Sequence, residues 1–230
     1  MTEIRGLDRA SPWVAVVRRP PTGILLNYFA GGWSLFCERY RSVGQPLTER
    51  NEAALTEALG TFLIDEASAG RQPFDGDFYA ELRHCSLNRD GTIKVTDRTD
   101  LEWRLSGFTA FVVEFKILGP GRRTQLYLSE GMRRFVDGRY APTATEGAMC
   151  GLVRPWSLGR DPIEELERLI DNDAATYRCV VNEEASTRHA PSMLAPHAAR
   201  FDTLHERDAP KPIVRLAHFF IEIPGPLDVN

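Results

Sequence analysis

The sequence predicts an α/β fold built in the order helix, three strands, helix, strand, and three observations predict it. Apolar residues recur at helical spacing after Pro46. Three extended segments follow between Phe78 and Leu118, and an amphipathic stretch separates them from the short apolar run GAMCGLVRP. A strand reached through a helical crossover returns to the same sheet, so the order implies a central mixed sheet flanked by helices.

Each element has its own signal. The first 45 residues, with RRPPTGILLNYFAGGWSLFCERY, read as an irregular N-terminal extension over 1–45, broken at Gly31-Gly32 and packed on a domain over 46–230. In QPLTERNEAALTEALGTFLIDEA, Thr48 is the candidate N-cap, and Leu55, Leu59, Phe62 and Leu63 predict a helix over 48–66. AGRQPFDGD then breaks the chain, FYAELRHCSL predicts a strand near 77–87, and NRDG reads as a turn. TIKVTDRTDLEWRL and FTAFVVEFKIL are two further strands, with Ser106-Gly107 as a two-residue hairpin signal. Past GPGRR, the positions of Leu126, Leu128, Met132, Phe135 and Val136 predict a helix closed by Gly138. DPIEELERLIDND carries Asp161 as cap and Pro162 in the first turn of another helix. YRCVVNE and VRLAHFFIEI are strand-like runs expected to extend the sheet's edge. The core thus falls at about 48–155 with a C-terminal elaboration over 156–230.

Bulk properties restrict the function. A chain of 230 residues, 43% hydrophobic, can bury a full core. No stretch approaches the ~20 apolar residues of a membrane span, and MTEIRGLDRASPW lacks the basic-then-apolar order of a secretory signal, so a cytoplasmic protein is expected. Cys37, Cys85, Cys150 and Cys179 are scattered, as reduced thiols are. His189, His197, His205 and His218 lack paired ligand spacing and read as loop or core residues. Ser129-Glu130-Gly131 is not a hydrolase elbow, and GPGRR lacks the lysine and serine of a P-loop. With 28 basic and 32 acidic residues the net charge is −4, so any polyanion must be held by a local patch.

The segment FVVEFK concentrates the chemistry. In a strand, Glu114 and Lys116 share a face; alone they would read as a cross-strand ion pair worth ~0–1 kcal/mol. A hairpin centred on Gly107, however, sets Asp100 opposite Glu114, because each lies seven residues from the turn. Asp97 and Glu102 are the alternative acids on that strand. Facing carboxylates repel, and a hard divalent cation with oxygen ligands compensates them. Lys116 would then orient or help activate a metal-bound water, or stabilise developing negative charge. Arg122, Arg123, Arg133, Arg134 and Arg139 cluster just beyond, as phosphate contacts or as a solvated helix face paired with Glu130 and Asp137.

Asp100, Glu114-Phe115-Lys116 and the α-β-β-β-α-β order over roughly 48–155 resemble the PD-(D/E)XK nuclease superfamily, the restriction-endonuclease-like fold. YLSEGMRRFVDGRYAPTATEGAMCGLV further resembles small uncharacterised bacterial proteins of that type. Thr99 stands where the superfamily often has proline. The resemblance implies metal-dependent phosphodiester cleavage, with DNA the expected substrate and Mg²⁺ or Mn²⁺ bound by Asp100, Glu114 and an acid from the first core helix. Glu52 is the candidate for that acid, with Glu49 and Glu81 as alternatives. It also implies a place for Gln125 near the site and, from the company such proteins keep, a role in defence against phage. The acidic balance points to a homodimer or a partner protein that helps hold substrate and controls activity. The competing expectation is a non-catalytic interaction or sensor subunit with the same fold.

Overall fold

The computed structural model of the chain describes residues 20–41, 47–87, 93–105, 108, 110–119, 122–155, 161–183 and 185–225. Helix α1 (Thr22–Arg41) occupies the segment where Gly31-Gly32 suggests a break. A glycine inside a helix costs about 1 kcal/mol against alanine. Burial of Leu25, Leu26, Phe29, Trp33 and Phe36 along α1 outweighs that, at about 1.5–3 kcal/mol for each side chain. Gly32 serves the packing: a β-carbon there would lie 2.5 Å from Leu63 Cδ2 on the next helix.

A single 3₁₀ turn (Leu47–Glu49) precedes α2 (Glu52–Ser68). The cap is Asn51 and not Thr48, since the Asn51 side chain accepts from the Ala54 N–H at 2.8 Å while Thr48 sits within the 3₁₀ turn. The later start places Glu52 in the first turn of α2, at the helix end that points to the sheet's central strands.

The described strands form one seven-stranded mixed sheet ordered β1-β2-β3-β4-β7-β6-β5. They are β1 (Asp77–Leu87), β2 (Ile93–Arg104), β3 (Phe111–Leu118), β4 (Glu146–Val153), β5 (Arg188–His189), β6 (Phe201–His205) and β7 (Val214–Glu222). β1, β2 and β3 form an antiparallel meander, β4 runs parallel to β3, and β7 parallel to β4. Every residue of β3 is buried, as a strand covered on both faces requires. Val113, Phe115 and Ile117 point into a core shared with α1 and α2, whereas Val112 and Leu118 join the opposite core beneath the crossover helices. Glu114 and Lys116 therefore belong to the crossover side.

The crossover from β3 to β4 is α3 (Arg122–Leu126), a π-helical turn (Tyr127–Met132) and α4 (Arg133–Val136). The spacing suggests a regular helix; the widened turn instead buries Tyr127, Leu128, Gly131 and Met132 together. Gly138, at φ +65°, ends the segment and donates to Phe135 O at 2.9 Å. α5 (Pro162–Asn172) starts as its sequence predicts, with Asp161 accepting from the Ile163 N–H at 2.8 Å.

The tail departs from expectation. β7 lies inside the sheet between β4 and β6, not at its edge, because its largely buried run VRLAHFFIE suits an interior strand. YRCVVNE forms no strand and contributes only the Cys179–His205 bridge. Cys37 and Cys150 are buried and Cys179 is half-buried, each outside any disulfide among the described residues. No helix of the described residues is long and apolar enough to cross a membrane.

His205 and His218 are fully buried core residues in one hydrogen-bonded chain. His205 Nδ1 lies 2.8 Å from Tyr177 O, Thr203 Oγ1 lies 2.6 Å from His205 Nε2 and 2.8 Å from His218 Nε2, and Tyr127 Oη lies 2.9 Å from His218 Nδ1. With both rings neutral, each can donate through one nitrogen and accept through the other, so every link is satisfied. Burial lowers both pKa values, that of His205 from 6.5 to about 4. The unfolded chain therefore binds protons that the folded chain refuses, and stability is lost as pH falls from about 6.5 toward 4, on the order of 3 kcal/mol for His205. Urea unfolding at neutral and acid pH is expected to show a smaller pH effect in His205→Gln than in the wild type; equal slopes would overturn this.

Candidate active site

The hairpin register brings the predicted acids together. Leu101 pairs with Val113 and Trp103 with Phe111, a ladder centred on Gly107 that sets Asp100 opposite Glu114. The connection is longer than a two-residue turn, since the strands end at Arg104 and Phe111; Ser106 and Gly107 lie outside the described residues. The two faces differ in character, with Val113 and Trp103 in the apolar core and Glu102 and Glu114 on the other face, and a slip of one residue would exchange them, which holds the register.

Glu114 is fully buried, and its two oxygens have separate partners. Oε1 lies 2.9 Å from Lys116 Nζ and 3.0 Å from Arg134 Nη1; Oε2 lies 2.9 Å from the Tyr140 hydroxyl. That hydroxyl also sits 2.7 Å from Arg98 O and accepts from Arg134, whose guanidinium covers the Tyr140 ring. Asp100 Oδ2 accepts from the Phe115 N–H at 2.8 Å, and its Oδ1 makes no hydrogen bond among the described residues. Lys116 Nζ bonds Glu52 Oε1 at 2.6 Å and Phe115 O at 3.0 Å, while Glu52 Oε2 accepts from the Ile117 N–H at 2.9 Å. Glu52, from the start of α2, thus reaches the C-terminal end of β3.

The electrostatics follow from three carboxylates and two cations in a buried space. Burial and then Asp100 push Glu114 up to about 8, against the pull of Lys116 and Arg134. Burial likewise raises Asp100, opposed by Lys116 and the Phe115 N–H. Burial works to lower Lys116, yet Glu114, Asp100 and Glu52 outweigh it and hold the ammonium above its ordinary value. The helix over β3 can approach because of Gly131, where a β-carbon would lie 2.5 Å from Met149 Cε and 3.3 Å from Lys116 Cγ.

Other candidates fall elsewhere. Glu49 is exposed in the 3₁₀ turn, and Glu81 pairs with Arg98 at 2.6 Å. Glu102 is held by Thr99 and Arg104, and the side chain of Asp97 lies outside the described residues. Arg133 follows the solvated-face reading, bound to Asp137 at 3.1 Å and Thr176 O at 2.8 Å. Arg134 turns inward to Glu114. Arg123 and Gln125 are exposed, and the Arg122 side chain lies outside the described residues. Sequence reasoning misses Tyr140: in GRYAP it looks like an ordinary turn residue, and only the left-handed Gly138 swings it back over β3.

Among the described residues no three or more His, Cys, Asp or Glu form a ready metal cage. The donor set nevertheless suits a hard cation held by few protein ligands. Asp100 keeps Oδ1 open, Glu114 Oε2 accepts one bond of the two it can take, and Phe115 O is adjacent. Comparison with protein-family models, with curated proteins and with solved structures returns no match.

Proposed function

We propose that the chain is a divalent-metal-dependent nuclease of the PD-(D/E)XK type, acting on DNA. The observation that carries this reading is the convergence of Asp100, Glu114, Lys116 and Glu52 from two strands and a helix onto one buried cluster. The meander β1-β2-β3 followed by a helical crossover to a parallel β4 supports a restriction-endonuclease-like core. Asp100 and Glu114, with the Phe115 carbonyl, would hold Mg²⁺ or Mn²⁺, which supplies charge neutralisation at the phosphate and an acidified water.

The remaining chemistry belongs to the side chains. Lys116, held protonated by three carboxylates, acts as a fixed cation that orients the nucleophilic water and meets charge developing on phosphorus oxygens. Glu52 aims Lys116 through its 2.6 Å contact. With a net charge of −4, the protein gains little counterion-release affinity of its own, so a second copy or a partner holds the substrate. The engagement of both Glu114 oxygens favours a second reading, a non-catalytic module whose acids are structural.

Supercoiled plasmid, linear duplex DNA and single-stranded RNA, each with Mg²⁺, Mn²⁺ or chelator, separate the two. Metal-dependent cutting of DNA that Asp100→Asn lacks, at a melting temperature no lower than the wild type's, is expected. Absence of cutting, or equal cutting by the variant, would overturn the catalytic reading.

A further inference from the structure

Arg154, the residue just past β4, is placed with care and forms no ion pair among the described residues. Its N–H bonds Leu118 O at 3.3 Å, at the end of β3, and its Nη2 donates to Arg50 O at 2.6 Å, next to the Asn51 cap of α2. These two anchors fix the guanidinium at the same ends of β3 and α2 that present Lys116 and Glu52. Lys116 pairs with Gly151, so Arg154 lies three residues further along the neighbouring strand, on the order of 10 Å away by strand rise.

The charged neighbour of Arg154 on the crossover helix is Arg123. The Arg154 Nε is buried and has no hydrogen-bond partner among the described residues. Burial and the nearby Arg123 both disfavour its charge, and no carboxylate among the described residues offsets them. Arg123 lies against Gly119, between the end of β3 and the crossover helix. Arg154 also lines a cavity of about 220 Å³ between the ends of β4 and β7, together with the exposed Glu222. Two guanidinium groups brought together without an acid are mutually repulsive, and an anion between them removes that repulsion.

We propose that Arg154 and Arg123 form a phosphate seat that receives a backbone phosphodiester of the nucleic-acid strand a nucleotide or two from the scissile bond. The assignment rests on the nuclease reading for its ligand. The seat fixes the strand's register relative to Lys116, so that the reacting phosphate arrives at the acids in one position.

The test is binding of a fluorescent duplex oligonucleotide in chelator, where no cleavage contributes, as a function of salt. Arg154→Gln and the exposed Arg123→Gln are each expected to weaken binding about tenfold and to lower the salt slope by about one. Arg123→Gln guards against a folding defect at Arg154, and melting temperatures accompany both. Wild-type affinity and slope in both variants would overturn the seat even if the protein cuts DNA. Weakened binding by a protein that cuts nothing would retain the seat and discard the nuclease. Undetectable binding of the wild type to the duplex would overturn both. Stabilisation by millimolar inorganic phosphate that Arg154→Gln loses, with DNA affinity unchanged, would make this a free-anion site and overturn its assignment to nucleic acid.

Discussion

Lys116→Ala is expected to slow metal-dependent strand cleavage by about a thousandfold, the range seen when one fixed charge or proton-handling group is removed from a reacting centre. The ammonium is buried, 2.6 Å from Glu52, 2.9 Å from Glu114 and 3.0 Å from Phe115 O, so it has one position and no freedom to be replaced by a neighbour. Arg134 is the second cation at Glu114, but it approaches from the crossover helix and also bonds Tyr140. Alanine leaves three carboxylates facing Arg134 alone, and the metal-free variant should melt at a lower temperature than the wild type. Added Mg²⁺ should recover part of that loss, since the ion replaces the missing charge. The rate should not recover with it. A variant that cleaves within tenfold of the wild type would remove Lys116 from the mechanism, whatever its melting temperature.

The sequence made the meander and its acids legible because their signals are local. Alternation in FYAELRHCSL and FVVEFK fixes which residues share a face, and equal distances from Gly107 are enough to oppose Asp100 and Glu114. Glu52 was legible as a residue type on the first core helix, but its reach to Lys116 depends on Asn51 starting α2 three residues past the 3₁₀ turn. Long-range packing hid the rest. The glycines of α1 look like a break until Leu63 needs the space of Gly32. β5 is two residues long and β6 five, too short for a periodicity to show. Tyr140 and Arg154 acquire their places from a left-handed turn and a strand end, neither of which changes composition or spacing. Among the basic residues, sequence proximity grouped Arg133 with Arg134, while the widened helical turn sends one to solvent and the other to Glu114.

Glu114→Gln is expected to stabilise the metal-free protein at alkaline pH while abolishing its response to metal. In the folded chain burial and Asp100 raise the Glu114 pKa from 4.5 to about 8. The folded state therefore binds this proton more tightly than the unfolded state. Its contribution to stability is fully present below about pH 4.5 and is lost as pH rises through about 8, up to about 5 kcal/mol for a carboxyl with no solvent contact. Glutamine keeps the shape, can accept from Lys116 and Arg134 through its oxygen, and has no charge to repel Asp100. Melting curves from pH 5 to 9 in chelator should slope downward for the wild type and be flatter for the variant. Repeated with Mg²⁺, the wild-type curve should rise most at the alkaline end, where the ion meets an ionised Glu114, and the variant should not respond. Parallel curves for the two proteins in chelator would show that Glu114 titrates normally, and an equal Mg²⁺ response would place the ion elsewhere. If the curves diverge as expected, the alkaline instability of the empty protein and its affinity for a divalent cation have one origin: two carboxylates that the β2–β3 register forces to face each other.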